Sequence, residues 1–379
     1  LSVQQKDFEM ALRQAKALDR RLDQQGRLVL EVAMLSASND QYSVAAQSYE
    51  YVIGLGDLTP YYLDAKVGLL NVKFKQATSG YEIDYDLLRN VEAEYENTIQ
   101  TLGLNNQTVS LVRNLANLKA FYLNNIEEAA QMLQSVIDLS NISNRVRGEC
   151  RVELADILLL RGDLWDAHLL YAQVDKTFRD DPLAHEARYK NARLSFYMGE
   201  FKWAKAQLDV LKSATSRLTA NDAMKLSLLI QDNLEEDGTS VPLTMLARAE
   251  MHEFMHNYDM ALEVLDSLES EFASHQILDD VLMTRARIFM RTGEYQSADE
   301  TLLAIVTQFA DGLHAPEALF LRAMLYEQVF QDKQKAMDLY TDLMVNYPGS
   351  LRNADARSRF RYLRGDLNKE DLFFYDIPF

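Results

Sequence analysis

The sequence predicts an all-α chain of repeated antiparallel helix pairs, and three observations lead there. Only 14 glycines and 6 prolines interrupt 379 residues, and no long apolar–polar alternation reads as a strand. An alanine recurs at Ala45, Ala129, Ala167, Ala204, Ala261, Ala298 and Ala336; Ala129 to Ala167, Ala167 to Ala204, Ala261 to Ala298 and Ala298 to Ala336 are separated by 38, 37, 37 and 38 residues. From Asp279 to Pro348 one pattern is written twice, first as Ala286, Phe289, Gly293, Tyr295, Ala298, Leu302, Ile305 and then as Ala323, Tyr326, Ala336, Tyr340, Leu343.

The spacing has a physical cause. Two antiparallel helices cross closely where each offers a small residue: Ala286 and Ala323 on the first helices, Ala298 and Ala336 on the second. Phe289 and Leu302 fill the space beside the crossing at the i, i+3, i+4 spacing of one helical face. Gly293 follows the first helix, where glycine adopts a left-handed cap at little cost. One such hairpin cannot bury its apolar face, so copies must stack into a solenoid.

The elements follow in order. Phe8, Ala11, Ala15 and Leu18 mark a half-repeat or cap. Residues 26–55 form the first pair, turning near Asn39 and Asp40. Residues 61–102 form a longer pair broken at Thr78, Ser79 and Gly80, with Gly68 at the crossing. Pairs at 109–139, 145–178 and 182–211 come next, the last opened by Asp181 as cap and Pro182 in the first turn. The jump of 57 residues from Ala204 to Ala261 calls for one extra helix, read at 221–234 and followed by the polar run Glu235 to Ser240. Pairs at 241–272, 277–309 and 316–345 complete about eight, and 351–363 is an arginine-rich cap. The expected organisation is a solenoid segment at 1–214, a joint at 215–242, a second segment at 243–366 and an acidic, aromatic tail at 367–379. In that tail Phe373, Phe374, Tyr375 and Phe379 either pack back on the last pair or insert into another protein.

A net charge of −18 argues against a nucleic-acid partner, because phosphate contacts require surplus lysine and arginine. Cys150 is the sole cysteine and reads as a small core residue. No window of about 18 uncharged apolar residues exists, so no spanning helix is expected. The start at Leu1 reads as trimmed, with a targeting sequence, anchor or upstream segment as the expected loss.

His252, Glu253, Phe254, Met255 and His256 spell HExxH, in which two histidines one turn apart bind zinc and the glutamate activates water. A zinc metallohydrolase centred on 252–256 is therefore the alternative reading. The repeat frame opposes it, since His256 takes the turn position held by Gly199 and Gly293 in other repeats. No phosphate-cradling loop or nucleophile elbow is present, and no enzyme activity, metal or cofactor is expected.

The recurring alanines, with Tyr42, Leu164, Phe201, Tyr258 and Tyr295 following the turns, resemble the tetratricopeptide repeat family. That resemblance implies a right-handed superhelix whose concave side, lined by first helices, meets protein partners. On this frame the exposed groove residues are Glu149 and Asp156; Tyr189, Arg193 and Phe196; Glu250 and Glu253; Met283, Arg287 and Met290; and Phe320, Met324 and Glu327. Arg357 and Arg361 on the capping helix join the partner-binding set. Val152, Tyr189, Leu246, Met283 and Phe320 stand where some members place a clamp lysine, so that chaperone-peptide role is not expected. The phrases at 178–187, 309–318 and 347–354 are similar to tetratricopeptide proteins of bacterial envelope assembly and secretion, and 359–366 to members from the Bacteroidota. This implies a non-catalytic scaffold in the cell envelope or periplasm, with protein partners and a peripheral association with membrane complexes.

Overall fold

The computed structural model describes residues 7–78, 83–106, 108–214, 217–234 and 240–367. Among them every regular element is a helix. The polar run at 235–239, the break at Ser79 and Gly80 and the aromatic tail lie outside the described residues.

Two compact units divide the chain, Leu1–Ser143 and Asn144–Phe379. The first holds α1 (Phe8–Leu22), the pairs α2 (Arg27–Ala37) with α3 (Tyr42–Gly54), α4 (Tyr62–Thr78) with α5 (Tyr85–Leu102), and α6 (Val109–Phe121) with α7 (Ile126–Ile137). The second opens with α8 (Asn144–Arg161), α9 (Leu164–Phe178), α10 (Pro182–Tyr197) and α11 (Phe201–Ala214). It continues through the lone α12 (Arg217–Asn233), then α13 (Val241–Phe254), α14 (Tyr258–Glu271), α15 (Leu278–Thr292), α16 (Tyr295–Gln308), α17 (Ala315–Gln328), α18 (Lys333–Asn346) and the terminal α19 (Asn353–Arg364).

All seven recurring alanines are completely buried, as helix crossing requires. Five residues before each stands a left-handed residue: Asp40, Asn124, Gly162, Gly199, His256, Gly293 and Gln331. The next backbone N–H turns back to a carbonyl of the first helix; Glu294 donates to Phe289 and Asn257 to His252. This left-handed stop satisfies carbonyls that the helix end would orphan, and it recurs wherever the turn is described. Some helix starts are capped by a side chain. Asp181 accepts from the Leu183 amide with Pro182 in the first turn, and Ser240 Oγ accepts from Leu243.

The extra helix begins a little before its expected start, at Arg217. It packs on α11, tied by Ser227 Oγ donating to Asp209 Oδ1 at 3.0 Å. Yet α13 also packs directly on α10, so α12 is added without interrupting the row of first helices. Cys150 is fully buried, as its placement on an apolar face predicts.

Candidate functional site

The first helices of the second unit form a row, and their polar side chains find partners in the next first helix along. The Lys190 ammonium on α10 meets Asp156 Oδ2 on α8 at 2.5 Å, and Asp156 Oδ1 accepts from the Tyr171 hydroxyl. Arg287 on α15 grips Glu253 on α13 through Nη2 to Oε2 at 3.0 Å and Nε to Oε1 at 3.2 Å, while Nη2 reaches Glu250 at 3.2 Å. On α17, Glu327 accepts from Arg359 of α19 at 3.0 Å and from the Tyr340 hydroxyl at 2.6 Å. The Asp156–Lys190 and Glu253–Arg287 partners are each 34 residues apart, a separation that carries a residue from one first helix to the next.

The electrostatics follow from this pairing. Burial pushes Glu253 up, but Arg287 and Arg291 more than reverse it, so the carboxyl sits below its ordinary range. Burial wins at Glu250, which is raised despite the same arginine. Arg193 lies 5.4 Å from the centroids of both the Tyr197 and Phe254 rings, a cation between two aromatic faces. Burial raises the Tyr197 hydroxyl to about 12, against the lowering effect of Arg193.

This arrangement corrects the expected exposed surface. Phe196, Met283, Met290, Phe320 and Met324 are buried, not open to a groove. Each is closed in by its own hairpin and its neighbours: Met283 and Met290 by α16 and α17, Phe320 and Met324 by α18 and α19. Glu253 is buried too, and Asp156, Glu250, Arg287 and Glu327 are committed to ion pairs. Tyr189 and Arg193 remain half-exposed, and Arg357 and Arg361 are exposed, one turn apart on α19. Among the described residues neither of those two arginines has an ion pair. The neighbouring arginines divide differently: Arg352, just before α19, holds Glu317 at 2.6 Å, Arg359 holds Glu327, and Arg364 meets Asp366.

The HExxH segment folds as the repeat frame requires. Helix α13 ends at Phe254, and His256 has φ 58° in the turn, so it does not stand one helical turn above His252. Glu253, which would activate water, is bound by Arg287. Burial and Arg248 lower the His252 imidazole. Among the described residues no three histidine, cysteine, aspartate or glutamate side chains converge to hold a metal. The zinc alternative thus lacks the ligand geometry it needs.

Sequence reasoning missed the pairing of acids and bases across repeats. Its signal was present in opposite charges one repeat apart, as at Asp156 and Lys190. It also passed over Trp165 and Trp203, both exposed on second helices.

Residues 317–350 match the family model for a tetratricopeptide repeat; the span runs from the first turn of α17 through α18. A search of curated proteins returned no match to the chain. Among solved structures, the chain is similar to a tetratricopeptide repeat protein from Parabacteroides merdae, at 13% identity and TM-score 0.29, covering 90% of this chain and 99% of that one. It is similar at 12% identity to the TPR domain of P58(IPK), with TM-score 0.28 and coverage of 97% and 96%. A Rap protein complexed with competence and sporulation factor gives 11% identity, TM-score 0.36 and coverage of 91% and 99%.

Proposed function

We propose that the chain, whose residues 317–350 match the model of a tetratricopeptide repeat, is a non-catalytic scaffold for protein partners, working in a bacterial outer-membrane assembly or secretion complex. The observation that carries this reading is the use made of the polar groups on the first helices. They are spent on bracing one repeat against the next, which leaves a braced array whose remaining chemistry is presentation of surface. Tyr189 and Arg193 on α10 and the outward Arg357 and Arg361 on α19 are the proposed contact residues, of types favoured in protein interfaces. The basic face of α19 in a chain of net charge −18 suits an acidic partner surface. The envelope setting is supported by the similarity at 178–187, 309–318 and 347–354. The lone helix α12 with residues to 242 is taken as a joint between hairpin arrays.

The test is crosslinked capture from the source cell with three chains: intact, Tyr189→Ala with Arg193→Ala, and Arg357→Glu with Arg361→Glu. Recovery of defined envelope proteins by the intact chain, with loss in one variant at unchanged helicity, supports the scaffold and locates its face. No enrichment by the intact chain refutes the scaffold; enrichment of cytoplasmic proteins alone refutes the envelope setting.

A further inference from the structure

On the other side of the row, second helices α9 and α11 both pack on α10 and leave an open groove of about 330 Å³ between them. Its walls come from residues one turn apart. His168 and Ala172 line it from α9, Trp203 and Gln207 from α11, and Asn191 of α10 lies at its floor. The chain has two tryptophans, one lining the groove and the other beside it. Trp203 lines the groove at 55% exposure, and Trp165, at 69%, edges the His168 ring with centroids 6.3 Å apart. Both stand in the first turn of their helices. Because α9 and α11 are each antiparallel to α10, the tryptophans share one end of the groove. Leu169, also more than half exposed, stands one turn from Trp165 on α9.

The opposite end is basic. Lys176 and Arg179 line it from the last turn and cap of α9, and among the described residues neither has an ion pair. Asp175, on the same wall, is already held by Arg188 at 2.7 Å, and among the described residues the other lining acid, Asp180, has no ion pair. Asn191 is 5% exposed and its Oδ1 accepts no hydrogen bond. A buried amide acceptor without a donor is costly, and rotation of the amide offers the groove either a donor or an acceptor. Tryptophan and arginine are also the residue types that anchor protein interfaces, and the two exposed cations complement an acidic segment.

We propose that the α9–α11 groove docks an extended peptide segment of a partner protein, with an apolar side chain between Trp165 and Trp203 and carboxylates facing Lys176 and Arg179. Asn191 hydrogen-bonds the peptide backbone at the middle. From Trp165 to Arg179 the helix rises about 21 Å, the length of about six extended residues. The pattern is therefore a hexapeptide, apolar at one end and acidic at the other. This deepens the scaffold reading and rests on it, but at a face distinct from the first helices and α19.

The tryptophans supply the measurement, since emission excited selectively from tryptophan, and not from the 19 tyrosines, comes only from Trp203 in the groove and Trp165 beside it. The probe is a positional library of acetylated, amidated hexapeptides free of tryptophan, titrated into the whole chain and into Lys176→Glu with Arg179→Glu. Peptides apolar in one half and acidic in the other are expected to shift the emission saturably, and the charge-reversed chain to bind them about five- to tenfold more weakly with an unchanged melting temperature. Trp203→Ala is expected to abolish binding. Enrichment of basic peptides, no saturable shift with any class, or equal binding by the charge-reversed chain overturns the proposal. An emission shift on raising chain concentration alone overturns it too, because a second copy then fills the groove. Running the capture experiment with the same variants separates the failures: partners retained by all groove variants sink this site and leave the scaffold standing.

Discussion

Replacing Arg359 with methionine is expected to destabilise the carboxy-terminal repeats by about 3–5 kcal/mol, the usual cost of removing one partner from a buried ion pair. The side chains of Arg359 and Glu327 are 2% and 7% exposed, and their Nη1 and Oε1 atoms are 3.0 Å apart. Without the guanidinium, Glu327 keeps only the Tyr340 hydroxyl at 2.6 Å and remains a buried charge. The reverse variant, Glu327→Met, takes from Arg359 its carboxylate partner at 3.0 Å and is expected to destabilise as well. Changing both residues to methionine, with Tyr340→Phe, removes the ion pair and the hydroxyl bonded to it together, so the triple variant is expected to lie within about 1–2 kcal/mol of the parent. Because repeats unfold by neighbours, the loss falls on α17–α19 first. The assay is urea unfolding of each variant, with hydrogen exchange to place the loss. If Arg359→Met costs less than about 1 kcal/mol, or the triple variant loses the sum of the single effects, the pair is not the brace described here.

Glycines at helix crossings make a second prediction. Alanine normally improves a helix interior by about 1 kcal/mol over glycine, but a Cβ on Gly148 would lie 2.5 Å from the Phe178 ring and one on Gly68 would overlap the Tyr49 ring. Gly148→Ala and Gly68→Ala are therefore expected to destabilise, by about 1–2 kcal/mol net of the propensity gain, read as lower melting temperatures. His256→Gly should act oppositely. Its φ of 58° carries a left-handed penalty that glycine escapes, worth about 0.5–1 kcal/mol after glycine's entropy is deducted; a loss of stability would show that the imidazole has a role beyond the turn. His314 provides a pH test. Burial lowers its imidazole, but Asp280 Oδ1 at 2.7 Å, joined by the Asp279 charge, outweighs burial and raises it above the ordinary value. A raised folded-state pKa stabilises fully below the unfolded value of about 6.5 and is lost as pH rises through the folded one. Urea midpoints should fall from pH 6 to pH 9 in the parent by more than in His314→Gln, and equal slopes would refute the assignment.

Much of the fold was legible because hairpin packing leaves local marks. A small residue must stand where helices cross, so the recurring alanines located the second helices, and all prove fully buried. The left-handed stop five residues earlier showed itself where the residue is Gly199 or Gly293. It was hidden where Gln331 or Asn124 takes the same backbone, since the conformation is then imposed by the closing hydrogen bonds and not by side-chain preference. The helix cap at Asp181 read directly, being a contact over two residues.

The candidate site was less legible, for a physical reason. The repeat frame states which face a residue occupies, and it put Arg193, Met283, Arg287 and Phe320 on the inward face of first helices. Whether that face is open or closed depends on the neighbouring hairpin, whose side chains come from a repeat away in sequence, as Arg287 does for Glu253. Methionine and phenylalanine there became core, and the charged residues became braces. The groove between α9 and α11 exists only because two helices share a floor on a third. The sequence by itself determined the helices, their turns and their pairing, since these rest on contacts within one hairpin. Only the tertiary structure decided which side chains stay exposed, because burial is a sum over neighbours that local spacing does not contain.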